Sequence, residues 1–233
     1  MIIFNNLGHT FKEGSADGLP IVWVDSSDTS TYTLSGADVL TLNNKGTLGG
    51  AMTLNGTVKF ANSGFESASG DNYITRDLGE TFLPTNSFTI VTTFDLQNAF
   101  SSLQWFSELF SDLNNRLSTL VDGSKIETVG VYSGTVTPLN AVPYFFGVQT
   151  LLVSYDVNTN TIIQLNYNNV TSTTSSVVFN NTISTTVTLL KSSYYNAPSG
   201  TNNPLHEFRL YDRAFSLTEM QTLQTELNNK YTP

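Results

Sequence analysis

Between Phe88 and Leu96 apolar and polar side chains alternate: Phe88, Ile90, Phe94 and Leu96 fall on one face, Thr89, Val91, Thr93 and Asp95 on the other. A period of two belongs to a β-strand with one side on a core, so this stretch reads as a half-buried central strand. Comparable signals recur between turn formers at 39–42, 57–60, 73–78, 105–110, 117–121, 125–132, 148–155, 161–167, 177–179, 187–191 and 205–211. A further short strand is read within 19–31, where Ile21, Val22, Trp23 and Val24 run into an acidic, hydroxyl-rich turn beginning at Asp25. Many short strands at close spacing predict an all-β sandwich rather than alternating strands and helices.

The period changes near the end of the chain. Over 217–230, Met220, Leu223 and Leu227 stand at i, i+3 and i+7, and Tyr231 continues the same stripe. Ser216-Leu217-Thr218-Glu219 has the form of a capping box, and Phe215 before the cap is placed to pack on Met220 as a hydrophobic staple. Strand 205–211 therefore passes directly into one short C-terminal helix. Its apolar residues are all accounted for by the stripe, so the helix is expected to serve as a lid on the sandwich.

Residues 1–18 read differently from the rest. Ile2, Ile3, Phe4, Leu7 and Phe11 precede a Gly- and Asp-containing segment around Gly14 and Gly18, which reads as a linker. This part is expected to be an N-terminal arm or edge strand, with residues 19–233 forming the sandwich; as an arm it offers a route to a homo-oligomer.

Composition narrows the function classes. A chain of 233 residues with 39% hydrophobic content can bury one large core. A formal charge of -9 leaves no basic stripe for phosphates, so nucleic acid is not expected as a partner. Cysteine is absent, which removes disulfides and thiolate metal sites from consideration. The start of the chain lacks the basic region of a signal peptide, and the apolar stretch 141–155 is broken by Pro143, Gly147 and Gln149, so neither classical secretion nor a membrane span is expected.

The segment Leu205-His206-Glu207-Phe208-Arg209-Leu210-Tyr211-Asp212-Arg213-Ala214-Phe215-Ser216 resembles the C-terminal signature of laminin G-like domains, which runs Ile-Asp-Glu-Val-Arg-Ile-Tyr-Asn-Arg-Ala-Leu-Ser before a short helix. Earlier segments add to the resemblance. Trp23-Val24-Asp25-Ser26-Ser27-Asp28 is similar to the opening segment of many such domains, Gly70-Asp71-Asn72-Tyr73-Ile74 to their Gly-x-x-Tyr-Ile entry, and Asn86-Ser87-Phe88-Thr89-Ile90 to their Ser-Phe-Thr-Ile strand. Leu152-Val153-Ser154-Tyr155-Asp156 and the return strand from Thr161 resemble the family's hairpin, with Asn168-Asn169 where Asn-Gly is usual, so the following turn is expected to be looser. The resemblance covers about 19–231 and implies a concanavalin A-like jelly-roll β-sandwich. Trp23, inside an apolar strand, then reads as a core plug.

Candidate chemistry is sparse. Glucanases of this fold need two carboxylates flanking one bond, whereas Glu108, Asp112 and Glu127 are scattered, and Glu207 and Asp212 have odd separation. Of the two histidines, His9 lies in the arm and His206 reads as a strand-surface side chain where relatives carry Asp. No enzyme is expected. Asp25, Asp28, Asp71 and Asp95 are the weak candidate donors for calcium, the one cofactor the donor set could serve; none forms a spaced loop, so no metal is expected and each acid reads as capping a turn. Recognition by exposed rings and amides remains. Tyr194, Tyr195 and Asn196 sit in a turn-rich loop before strand 205–211, and Trp105 either caps or fills the concave face.

The expected function is a non-catalytic, lectin-like recognition module that binds surface glycans as part of a multivalent surface or virion assembly. The alternative, from a different class, is a structural virion protein (head fibre, spike or capsid decoration) that binds other virion proteins and no sugar. Either reading places the chain on a virion or extracellular surface.

Overall fold

The computed structural model describes residues 18–67, 72–79, 86–97, 104–109, 115–122, 125–132, 135–143, 146–166, 171–179, 186–191 and 203–231, with two short strands at 2–4 and 10–12. In those two strands, and at 104–105, 115–116, 121–122, 125–132 and 135–143, the description is confined to the backbone.

In chain order the strands are β1 (Ile2–Phe4), β2 (Thr10–Lys12), β3 (Val22–Asp25), β4 (Tyr32–Ser35), β5 (Asp38–Leu42), β6 (Thr53–Asn55), β7 (Val58–Ala61), β8 (Gly64–Ser67) and β9 (Tyr73–Asp77). There follow β10 (Phe88–Leu96), β11 (Gln104–Leu109), β12 (Asn115–Asp122), β13 (Lys125–Tyr132), β14 (Thr135–Pro143), β15 (Gly147–Asp156), β16 (Thr161–Leu165), β17 (Thr171–Thr174), β18 (Thr186–Leu189) and β19 (Leu205–Tyr211). The helix α1 (Leu217–Tyr231) closes the series.

Two large antiparallel sheets result. One has ten strands in the order β17-β16-β15-β10-β19-β8-β7-β5-β4, with β3 also paired to β19; the other has seven, β14-β13-β12-β11-β18-β9-β6. The expectation of an all-β sandwich with one C-terminal helix holds. β1 and β2 pair only with each other, as a two-stranded sheet.

The interior is oily. Phe88, Ile90, Phe94 and Leu96 of β10 join Phe106 and Leu109 of β11, Leu117 of β12, Val187 and Leu189 of β18, and Leu205, Phe208 and Leu210 of β19 in one buried cluster between the sheets. The Phe94 and Phe106 rings stack at 4.0 Å, joining the sheets at their centre.

A second cluster lies on the far side of the ten-stranded sheet. There Val91, Leu152, Leu165 and Tyr211 meet Phe215, Met220, Leu223 and Leu227 beneath α1. The capping box forms as read: Ser216 N–H donates to Glu219 Oε2 at 2.7 Å, and Glu219 N–H donates to Ser216 Oγ at 3.3 Å. Phe215 N–H also donates to Ser154 Oγ at 2.8 Å, tying the strand-to-helix corner to β15.

Three expectations need correction. β10 is buried on both faces rather than one, because the 213–216 corner covers Thr89, whose hydroxyl donates to Arg213 O at 2.9 Å, and α1 covers Val91. Residues 177–179 form no strand; Val177 and Phe179 plug the core, Phe179 packing edge-on to Tyr155 at 5.1 Å. His206 is buried, not on the surface. The register of β10 against β19 shifts between Thr93 and Phe94, an extra residue on β19 that lets the His206 ring stack on Tyr231 at 5.0 Å with Nδ1 3.0 Å from Ser63 O. The turn at Asn168-Asn169 lies outside the described residues.

Candidate binding face

The last turn of α1 docks on charge. Residues 22–25 of β3 lie beside 207–210 of β19, with Trp23 opposite Arg209 and Asp25 opposite Glu207. Glu207 is 0% exposed, yet its carboxylate accepts from Trp23 Nε1 at 2.7 Å, Lys230 Nζ at 2.8 Å and Tyr231 OH at 2.7 Å, and pairs with Arg209 Nε. Asp25 takes Lys230 at 3.0 Å and Lys45 at 3.3 Å, and Lys45 reaches Asp28 at 2.8 Å. The Trp23 ring lies 4.1 Å from Lys45 Nζ and 4.7 Å from Arg209 Cζ. Trp23 is thus buried as expected, but as the apolar plate of a cation cluster.

Electrostatics shift several groups here. Burial pushes the Asp25 carboxyl up, but Lys230, the Ser27 hydroxyl and Lys45 more than offset it and hold the group well below the usual carboxylate range. Burial, with Glu207 and Asp25 alongside, pushes the Tyr231 phenol far up, so it remains a donor. Arg209 is pushed up by Glu207 and Tyr211 against the opposing effect of burial. Burial lowers His206 despite its bond to Ser63. The arrangement fastens the helix to β3 and β19.

The calcium candidates fall in different places. Asp25 and Asp28 cap turns as expected, accepting from Ser27 N–H at 3.0 Å and Ser30 N–H at 3.2 Å, and Lys45 stands between them. Asp95 in β10 accepts from Gln97 Nε2 at 2.9 Å. Asp71 lies outside the described residues, as do Tyr194, Tyr195 and Asn196. Trp105 belongs to β11, opposite Leu120, with only its backbone described. Among the described residues no group of acids and histidines is placed to hold a metal ion.

The seven-stranded sheet has a different outward face. Ile74, Leu54, Val187, Leu189, Leu109 and Leu117 point into the core, so alternation turns Asn55, Tyr73, Thr75, Thr188, Glu108 and Ser118 outward. Register joins them: Asn55 opposes Tyr73, Thr75 opposes Thr188, Thr188 opposes Glu108, and Glu108 opposes Ser118. Asn55 Nδ2 donates to Thr75 Oγ1 at 3.2 Å, and Ser118 Oγ to Glu108 Oε2 at 3.3 Å. The centre of the row is buried, whereas Asn55, Tyr73 and Thr75 are half-buried. Lys191 Nζ lies 5.2 Å from the Tyr73 ring. Just before it, buried Leu190 takes φ 69°, a left-handed conformation costly for a bulky residue, where the chain leaves β18. In the sequence Tyr73 stands out only as part of a strand entry and Glu108 only as a scattered carboxylate; the Asn55–Tyr73 juxtaposition depends on a long-range pairing with no local signal.

No protein-family model matches the chain, and no curated protein sequence does. Solved structures match in fold. The crystal structure of the botulinum neurotoxin serotype D/C VPI 5993 binding domain is similar over 91% of this chain and 53% of that one, with TM-score 0.68 and 11% identity. The botulinum neurotoxin DC binding domain in complex with rat synaptotagmin II has TM-score 0.67 at 11% identity, and the same domain in complex with SialylT has TM-score 0.67 at 10%; each is covered over 52%, with 91% of this chain aligned. The chain spans about half the length of these binding domains. Each is described as a binding domain, and among the described residues of this chain no helix is long and apolar enough to cross a membrane.

Proposed function

We propose that the chain is a non-catalytic, lectin-like recognition module of laminin G-like, concanavalin A-like type, which binds surface glycan weakly and is displayed in many copies on a virion or extracellular surface. The observation that carries this reading is the corner formed by Asn55, Tyr73, Thr75 and Lys191. A half-buried ring, an amide, a hydroxyl and an ammonium meet there, which suits stacking on a sugar's C–H face with hydrogen bonds to its hydroxyls. Tyr194, Tyr195 and Asn196 follow Lys191 closely in the sequence, so the candidate residues of sequence and structure adjoin along the chain. The complex of a fold neighbour with SialylT supports the same class of ligand. A glycan array tests the reading: binding by the wild type that is lost in Tyr73→Ala and in Tyr194→Ala/Tyr195→Ala supports it, and silence across broad arrays refutes it.

A second reading, a structural virion component without sugar binding, draws support from β1 and β2, which pair with each other and with neither large sheet. An isolated hairpin has marginal stability in water, so a neighbouring subunit is a natural support for it. Deleting residues 1–18 and measuring assembly mass tests this; an unchanged mass removes the arm as a joint.

A further inference from the structure

On the outer side of the ten-stranded sheet, where α1 begins, a groove of about 380 Å³ lies between the β15–β16 turn and the helix's first turn. We propose that this groove binds one uncharged pyranose ring, as a site separate from the Tyr73 corner. Its floor is apolar, made by Ile163, Ala214 and Phe215; Asp156 and Thr161 stand on one side and Glu219 on the other. Ile163, Ala214, Asp156, Thr161 and Glu219 are all partly exposed, so a ligand reaches both floor and rim.

The walls are built in advance. Asp156 holds its turn by accepting from Asn158 N–H at 2.9 Å and from Thr159 Oγ1 at 3.1 Å. Glu219 is fixed by Ser216 N–H at 2.7 Å and by Arg213 at 2.8 Å. Binding therefore demands little ordering of the protein, which lets even a small ligand bind. The volume lies at the lower end of the range for small-molecule sites.

The chemistry selects among ligands. A pyranose offers a C–H face to an apolar floor and hydroxyls to carboxylate and hydroxyl acceptors at the rim. Asp156 is kept ionised chiefly by the Asn158 backbone bond, and Glu219, although burial opposes it, by the bonds from Ser216 and Arg213. The two carboxylates that line the groove, Asp156 and Glu219, repel an acidic sugar. The apolar floor of Ile163, Ala214 and Phe215 suits the C–H face of a ring better than a hydrated ammonium, which favours a neutral ring over a basic side chain.

Methyl NMR on the full chain tests this directly. Glucose, galactose and N-acetylglucosamine, each raised to about 10 mM to populate a millimolar complex, are expected to shift the Ile163 and Ala214 methyl signals with saturation. N-acetylneuraminic acid is expected to leave them in place. Thr161→Trp, a substitution that strands accept, fills the groove and is expected to abolish the shifts while the melting temperature stays unchanged. No shift with any neutral sugar, equal shifts with N-acetylneuraminic acid, a response only to lysine methyl ester, or shifts that persist in Thr161→Trp would each overturn the proposal. The wild-type titration decides the matter even if Thr161→Trp does not fold. Failure here is distinguishable from failure of the main reading, because Tyr73→Ala leaves the groove untouched and Thr161→Trp leaves the Tyr73 corner untouched.

Discussion

Glu207→Gln is the sharpest perturbation of the fold. The carboxylate sits at 0% exposure and receives Trp23, Arg209, Lys230 and Tyr231, so the variant leaves Arg209 and Lys230 in a buried site short of one anion. Breaking a buried pair by removing one partner costs about 3–5 kcal/mol. Gln retains one carbonyl acceptor, which sets the expectation near the lower figure. For a chain of this size each kcal/mol moves Tm by roughly 2–4 °C, so a fall of roughly 6–12 °C is expected in thermal unfolding followed by circular dichroism. If the loss comes from the stranded charge, adding Lys230→Met restores part of it, and the double variant loses less than the sum of the singles by about 0.5–3 kcal/mol. A Tm within about 2 °C of wild type, or strict additivity, would refute the idea that this cluster fastens α1.

Further outcomes follow from the same geometry. Because the folded Asp25 carboxyl titrates below its unfolded value near 3.9, its contribution is fully present above that pH and is lost as pH falls toward the folded pKa; in a Tm-against-pH series the acid limb is expected to be shallower in Asp25→Asn than in wild type. His206, lowered by burial, contributes in the same direction below about pH 6.5, and His206→Gln should flatten that part of the curve. Ser216→Ala removes the cap and is expected to cost about 1 kcal/mol, read from urea midpoints. Gly46→Ala puts a Cβ 2.5 Å from the Ile21 carbonyl oxygen, a backbone atom that cannot step aside, so expression or Tm should fall more than for Ser216→Ala.

Much of the fold was legible because local patterns and tertiary pairing agree. The bounds of 88–96, 125–132 and 205–211 match the observed strands, and Ser216, Glu219, Phe215 and Met220 act as read. β14 escaped notice because Pro138 and Pro143 argue against a strand, yet it lies at the edge of its sheet, where proline is tolerated. The 177–179 stretch was misread because an apolar triplet looks alike whether it pairs or merely fills a core. The Tyr73 corner and the charge cluster were less accessible. Asp25, Lys45, Glu207 and Lys230 are scattered along the chain and meet only through the β3–β19 pairing and the docking of α1. Similarly Asn55 and Tyr73 are joined by strand register that no local period encodes, and Lys191 meets Tyr73 only in the fold.

Glycan-array binding of the wild type beside Tyr73→Ala, at matched folding by circular dichroism, tests the recognition reading most directly. The account predicts selective glycan signals for the wild type that vanish in the variant. Signals unchanged by Tyr73→Ala, or none for either protein, would contradict it.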